Sequence, residues 1–286
     1  MFSFIILHYK NINETIECLH NLKKIIKNNK ASIIVVDNNT LTTQELLKIK
    51  DFTKDILVLD KNYGFAIGNN KGIEYARKKY NSDFYCVINN DVFIEQENFI
   101  AQVQKIYKKY KFDMLGPKID SPTGESVNPF PVFKDKEKVK LEIKKCKKLI
   151  KIYNSSFLTA VLKFYLKIKK RFSKNKNSPK NEDRTQQNIA LHGCAIIFSK
   201  KYIEKYDDPF CNKTFLFHEE EFLYQRVLND NLISIYEPSL HIFHKEGSSV
   251  KKNYKKERLS KLFREETRIK SLELLLELMQ GESKNE

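Results

Sequence analysis

The chain has 286 residues, 41% of them apolar and 31% charged, enough apolar material for a large α/β core. Its net charge of +16 is concentrated: between Lys134 and Arg184 there are 18 Lys and Arg against 5 Asp and Glu, so a nearly balanced body carries one basic element. Five cysteines without a C-x-x-C pair exclude a disulfide framework or cysteine-rich zinc site and suit a reducing compartment, and no run reaches the roughly 18–20 apolar residues of a membrane span.

The opening MFSFIILHYKN lacks a basic leader and a small-residue cleavage site, so SFIILHY (3–9) reads as a buried strand and not a signal peptide. NETIECLHNLKKIIK (13–27) places Ile16, Leu19, Leu22 and Ile25 or Ile26 on one helical face, and ASIIVVDNN (31–39) is a second strand. A helix at about 42–50, a short strand DILVLD (55–60) and a helix over 67–80 follow. YCVINNDVFI (85–94) is the fourth strand, with a helix at about 96–110 after it. Buried strands alternating with helices make a parallel sheet covered on both faces. After the basic element, ALHGCAIIFSKKYI (190–203) resumes strand then helix, and TFLFHEEEFLYQRVLND (214–230) contains another helix. LISIYEPSLHIFH (232–244) reads as two short strands broken at Pro238, and a last helix runs over about 255–280.

A doubly wound sheet carries its ligands outside the carboxyl ends of its strands. Those ends are His8, Tyr9, Lys10 and Asn11, then Asp37, Asn38 and Asn39, then Asn89, Asn90 and Asp91, and all three are polar. In an extended segment Asn89 and Asp91 point the same way, an amide and a carboxylate suited to Mg²⁺ or Mn²⁺ that also binds substrate phosphates; an Asx turn capping the strand is the alternative. Asp37 suits a base N–H or ribose hydroxyl, or else a helix cap. Gly64, Gly68 and Gly72 recur every four residues with Asn62, Asn69 and Asn70 among them, which allows close approach of an anion at a helix start or tight helix–sheet packing. Glu219, Glu220 and Glu221 in HEEEFLYQR supply a candidate general base, or a charge that balances a helix dipole. His244, with Gly247 and Ser249 nearby, could complete a metal shell.

Taken together, IILHYKN, IIVVDNN, NYGFAIGNNKG, CVINNDVFI, HGCAIIFSKKYI, FLFHEEEFLYQR and HIFHKEGSS resemble the family 2 nucleotide-diphospho-sugar glycosyltransferases of GT-A fold, and most of all their rhamnosyltransferase-type branch of bacterial surface polysaccharide synthesis. The resemblance implies a mixed, mostly parallel Rossmann-like sheet flanked by helices, with a basic helical insertion and a C-terminal helix. It implies that Tyr9 and Asp37 hold base and ribose, that Asn62, Asn69 and Asn90 line the nucleotide pocket, and that Asn89-Asn90-Asp91 stands for the family's D-x-D. Asp91 would be the principal ligand to Mn²⁺ or Mg²⁺, with Asn89 and His244 beside it. His192, Gly193 and Cys194 would meet the acceptor, and Glu220, or else Glu219, would be the base. The chain departs from the family pattern at Asn89, where the first Asp of D-x-D stands, and at Glu219-Glu220-Glu221-Phe222, where the family has Glu-Asp-x-Asp.

The function expected from this is an inverting, metal-dependent transfer of a hexosyl or deoxyhexosyl group from a UDP- or dTDP-sugar to a hydroxyl of a glycan or lipid-linked acceptor. A sugar nucleotidyltransferase would need a glycine-rich loop after the first strand, which HYKNINE lacks; a non-catalytic nucleic-acid or membrane binder is the third reading, and no nucleic-acid partner is expected. The expected organisation is a nucleotide-sugar-binding half at 1–133, the basic insertion at 134–184, an acceptor and catalytic half at 185–250 and a C-terminal helix and tail at 251–286. Within the insertion, SSFLTAVLKFYLKIKKRFSKNK (155–176) puts Leu158, Val161, Leu162, Tyr165, Ile168 or Lys169, and Phe172 on one face and Lys163, Lys167, Lys170, Arg171 and Lys174 on another. That pattern suits an anionic membrane surface, or docking of the apolar face on the protein body. The apolar residues of the C-terminal helix would pack on the body or form a homodimer. A cytoplasmic protein, peripheral on the inner face of the membrane, is the expected location.

Overall fold

The computed structural model describes residues 1–27, 29–122, 126–133, 135–172, 183–245 and 257–281. The chain forms two compact units: Met1–Val132 with Lys180–Phe215 and Glu219–Gly247, and Phe133–Pro179 with Leu216–His218 and Ser248–Glu286.

The first unit is built on one sheet. Its elements in chain order are β1 (Phe2–His8), α1 (Ile12–Ile26), β2 (Ala31–Asp37), α2 (Thr43–Lys50), β3 (Ile56–Val58), α3 (Gly64–Tyr80), β4 (Phe84–Asn89), β5 (Val92–Phe93), α4 (Phe99–Tyr110) and β6 (Met114–Asp120). The second unit contributes α5 (Lys136–Asn154) and α6 (Ser156–Phe172), after which the sheet unit resumes with β7 (Gln186–Gln187), β8 (Ala195–Ser199), α7 (Lys200–Lys205), α8 (Glu219–Asn229) and β9 (Ser234–His244). The strand order is β3-β2-β1-β4-β8-β6-β9-β5, with β7 paired to β9. β3, β2, β1 and β4 run parallel, β8 is antiparallel to both its neighbours, and β9 is again parallel to β6. This is the mixed, largely parallel α/β sheet expected from the sequence.

Alternation along each strand covers both faces of the sheet. Phe4 and Ile6 of β1 pack with Leu19 and Leu22 of α1 and Val103 of α4 in one core; Ile5 faces the other, with Ile73 of α3 and Leu223 of α8. Gly72 and Gly68 seat α3 on that second face. A Cβ at Gly72 would stand 2.6 Å from methyls of Ile5 and Val36, so packing accounts for Gly72.

Several local readings change. The fourth strand ends at Asn89; Asn90 and Asp91 form a turn before β5, so the alternation argument for Asn89 and Asp91 does not apply. The short apolar run after the turn is explained by pairing of Val92 with His244 and Phe93 with Phe243. MLGPKID, absent from the strands expected above, is the strand β6. Pro238 does not end a strand: β9 runs through it, and the register with β6 shifts between Pro117 and Lys118, so both prolines sit at an irregularity where ladder donors are dispensable. Helix α3 starts at Gly64, not at 67, with φ of 79° and the Phe65 amide donating to the Phe215 carbonyl.

The second unit joins α5, α6 and α9 (Glu257–Gln280). Asp135 caps α5 by accepting from the Lys138 amide at 2.8 Å, and Ser155 separates α5 from α6 with extended φ and ψ. Val139, Ile143 and Cys146 of α5 and Ile269, Leu272 and Leu275 of α9 are buried, and Arg268 pairs with Glu142 at 2.8 Å and Glu265 at 2.9 Å. The C-terminal helix thus packs on α5 of its own unit. Helix α6 keeps its apolar stripe in solvent: Phe157 is 75% exposed, Val161 50%, Phe164 68% and Ile168 43%. Within its own unit this stripe of α6 is left uncovered. Residues 173–176, and Gly247 and Ser249, lie outside the described residues. No described helix is long and apolar enough to cross a membrane. All five cysteines are free thiols.

Candidate active site

The antiparallel placement of β8 builds the site. Its first residues lie where parallel β4 ends, with Ala195 opposite Ile88 and the Asn89 amide donating to the Cys194 carbonyl at 2.9 Å. His192-Gly193-Cys194 therefore stands beside Asn89-Asn90-Asp91. The end of β9 arrives at the same edge: His244 Nε2 is 3.1 Å from Asp91 Oδ1, both residues are buried, and the Lys245 amide donates to the Asp91 carbonyl at 3.1 Å. From the other side of the strand ends, α8 brings Glu220, whose Oε1 accepts the Gly193 amide at 3.0 Å. A Cβ at Gly193 would lie 3.0 Å from that same oxygen, so a larger residue there would make the carboxylate give way by a few tenths of an ångström.

His192 lies between the two halves, its ring centroid 6.1 Å from that of His244. Its Nδ1 accepts the Cys194 amide at 3.1 Å, which leaves the ring proton on Nε2. Burial holds its pKa below the ordinary imidazole value, Glu220 and Asp91 opposing this and His244 adding to it. A neutral imidazole with a donor N–H is the consequence. Of the three carboxylates that start α8, Glu219 and Glu221 are buried and Glu220 is half-buried. Glu220 is also the one tied to Gly193.

The other expected residues are placed as follows. Tyr9 is half-buried just after β1, with Lys10 Nζ 5.1 Å from its ring centroid. Asp37 is buried and accepts the Thr40 amide at 2.9 Å and the Leu41 amide at 3.3 Å, holding the turn after β2. Asn62 lies just before α3, its Oδ1 accepting the Gly64 amide at 2.9 Å. Asn69 is fully buried; its Nδ2 donates to the Phe65 carbonyl at 3.0 Å while Oδ1 has no partner among the described residues. Asn90 is turned inward, donating to Thr15 Oγ1 of α1 at 2.9 Å, which fastens the turn to that helix. Asn89 is half-buried at the strand end, and Cys194 is buried in the sheet core.

Asn128 escapes sequence reading, and Asn38, a strand-end residue above, takes a bridging role that the sequence does not show. Asn128 is buried and bridges two segments, its Oδ1 accepting the His192 amide at 2.7 Å and its Nδ2 donating to the Pro117 carbonyl at 2.9 Å. Asn38 does the same for the glycine segment, accepting the Tyr63 amide and donating to the Gly64 carbonyl, each at 2.9 Å. Neither bridge has a local sequence signal, because both partners are remote in sequence. His8, read as a strand-end residue, is buried against Thr15 Oγ1 at 2.7 Å.

Residues 3–207 match the model of the glycosyl transferase family 2 domain, well over half of the chain. The chain belongs to glycosyl transferase family 2. A relative, the low-salt glycan biosynthesis hexosyltransferase Agl10 of Haloferax volcanii, is 30% identical over 131 residues, which are 45% of this chain and 40% of that protein. The family 2 chain thus spans less than half the length of this relative. Among solved structures, residues 1–349 of TarS from S. aureus superpose with a TM-score of 0.52 at 13% identity, covering 85% of this chain and 60% of that one. GalNAc-T7 with UDP, GalNAc and Mn²⁺ gives 0.54 at 11% identity, covering 93% and 47%. Likeness at this identity concerns the fold, and it is the GT-A fold.

Proposed function

We propose that the protein is an inverting glycosyltransferase that moves a hexosyl or deoxyhexosyl group, rhamnosyl among them, from a UDP- or dTDP-sugar to a hydroxyl of a glycan or lipid-linked saccharide in surface polysaccharide synthesis, at the cytoplasmic face of a membrane. The observation that carries this reading is the meeting at one sheet edge of an Asp91–His244 pair with a Glu220 carboxylate held by the Gly193 amide. Family membership and the hexosyltransferase relative support it.

In this mechanism the Gly193 amide occupies Oε1 of Glu220 and leaves Oε2 to take the proton of the acceptor hydroxyl. The hydroxyl oxygen bonds to the anomeric carbon from the face opposite the diphosphate as the bond to the diphosphate breaks, so one carboxylate suffices. His192 offers its Nε2–H to a substrate oxygen, and Asn128 fixes the backbone that carries it. Asp91 and His244 provide a hard oxygen and an imidazole nitrogen, a set that fits Mn²⁺ or Mg²⁺; among the described residues no group of three or more His, Cys, Asp and Glu could hold a metal, so further ligands would come from substrate phosphates. When bound there, the cation would neutralise charge on the leaving diphosphate.

Thermal shift with UDP, dTDP, GDP and CDP, each with and without Mn²⁺, tests the reading. One diphosphate at about 100 times its Kd should add roughly 2.7 kcal/mol, several degrees in Tm, with Mn²⁺ and not without it. Asp91→Asn should abolish the metal-dependent part. If no diphosphate stabilises the protein, the assignment of this edge as a donor site is lost.

A further inference from the structure

We infer that α6 is an interfacial helix that seats the protein on an anionic lipid surface through Phe157, Val161, Phe164 and Ile168. Spaced by four, three and four residues, these side chains form a single stripe along the helix, and all four stand in solvent. Leu158 and Tyr165, also exposed, widen the stripe on one flank. Packing of α6 within its unit uses a different side, where Thr159 is buried and its hydroxyl donates to the Ser155 carbonyl at 2.8 Å. Lys167 is exposed away from the stripe, Lys163 on the same side pairs with Glu257 at 2.6 Å, and Lys and Arg continue the sequence at 169–171. An apolar stripe bordered by cations is the pattern of a helix lying in the headgroup layer, its apolar side toward acyl chains and its cations toward lipid phosphates.

Two other covers for the stripe fit less well. The segments of this chain outside the described residues are almost devoid of apolar side chains: 173–182 reads SKNKNSPKNE, and 246–256 offers only Val250 and Tyr254 among KK and KK pairs. A second copy of the chain would bring the same basic element, with 18 Lys and Arg against 5 Asp and Glu, into contact with itself. An anionic bilayer satisfies the apolar stripe and the charge together. The inference rests on the exposed face of α6 and not on the sugar-transfer reading, so either can fail without the other.

The absence of tryptophan from the chain allows a direct test, since Phe164→Trp makes a single-tryptophan reporter on the stripe. With vesicles of phosphatidylcholine and phosphatidylglycerol its emission should shift to the blue and be quenched by brominated acyl chains, and with phosphatidylcholine alone it should stay near the solvent value. In sedimentation with the same anionic vesicles, Phe157→Ser, Val161→Ser and Phe164→Ser together should weaken binding by about 10²-fold or more, as removal of several apolar side chains from an interface requires. Lys167→Glu should weaken it further in low salt. Circular dichroism and Tm of these variants should match the parent, because the replaced groups are exposed. Unchanged emission on anionic vesicles overturns the inference. So does a concentration-dependent dimer, seen by light scattering, that the triple variant dissolves while vesicles bind neither form.

Discussion

In the sheet unit the side chains of β1 are covered from both sides, Phe4 and Ile6 by α1 and α4 and Ile5 by α3, and the polar groups are gathered at one set of strand ends. In the helical unit α5 and α9 bury their apolar residues against each other, yet α6 holds Phe157 and Phe164 in solvent. The same hydrophobic force acts on both. A covered sheet face dictates where each side chain goes, whereas a stripe left open on a helix has its use decided by something outside the chain. Substitutions in the two regions should therefore answer different assays.

The largest expected effect is in the sheet unit. Glu220→Gln should lower kcat by roughly 10²–10⁴-fold, the worth of a positioned base, with donor binding measured by thermal shift nearly intact. Near-parental turnover would remove Glu220 from that role and leave the Gly193 contact as a structural one. Next come the two cores. Leu22→Ala in α1 and Leu272→Ala in α9 should each cost about 2–5 kcal/mol in chemical denaturation, since both are fully buried. Phe164→Ser, by contrast, should stay within about 0.5 kcal/mol of the parent. A loss at Phe164 as large as at Leu22 would mean that the stripe is covered within the protein and would erase the contrast between the units.

Asn128→Ala is expected to fall between these, about 1–3 kcal/mol, because it strands the His192 amide and the Pro117 carbonyl in a buried place. If Asn128 also positions His192, turnover should fall by more than the lost stability explains, read as a drop in kcat at a temperature where the variant is fully folded.

The smallest effect is on pH. His8 is held below the ordinary imidazole value of 6.5 by burial, Asp37 and Glu45 opposing, and His192 is lowered in the same direction. The unfolded chain then binds more protons than the folded one between the lowered values and 6.5, so stability should fall as pH drops below about 6.5 and be flat just above it. His8→Gln with His192→Gln should flatten that slope. An unchanged slope would assign the acid sensitivity to the carboxylates.

Strand and helix periodicity is a local property, and on it the sheet-and-helix order, the basic element and the polar strand ends were all legible. The misreadings lie where partners are distant. Pro238 looks like a break until β6 accommodates the extra residues, and Asn89 and Asp91 look like alternate residues of one strand until the turn at Asn90 and Asp91 carries the chain to its pairing with β9. By itself, then, the sequence determined the kind of elements, the family motifs and the chemistry available at the strand ends, because spacing along the chain decides which face a side chain takes. Only the tertiary structure decided that His244 meets Asp91, that Glu220 meets Gly193, that Asn128 holds His192 and that α6 stays uncovered, because these depend on segments up to 153 residues apart arriving at one place.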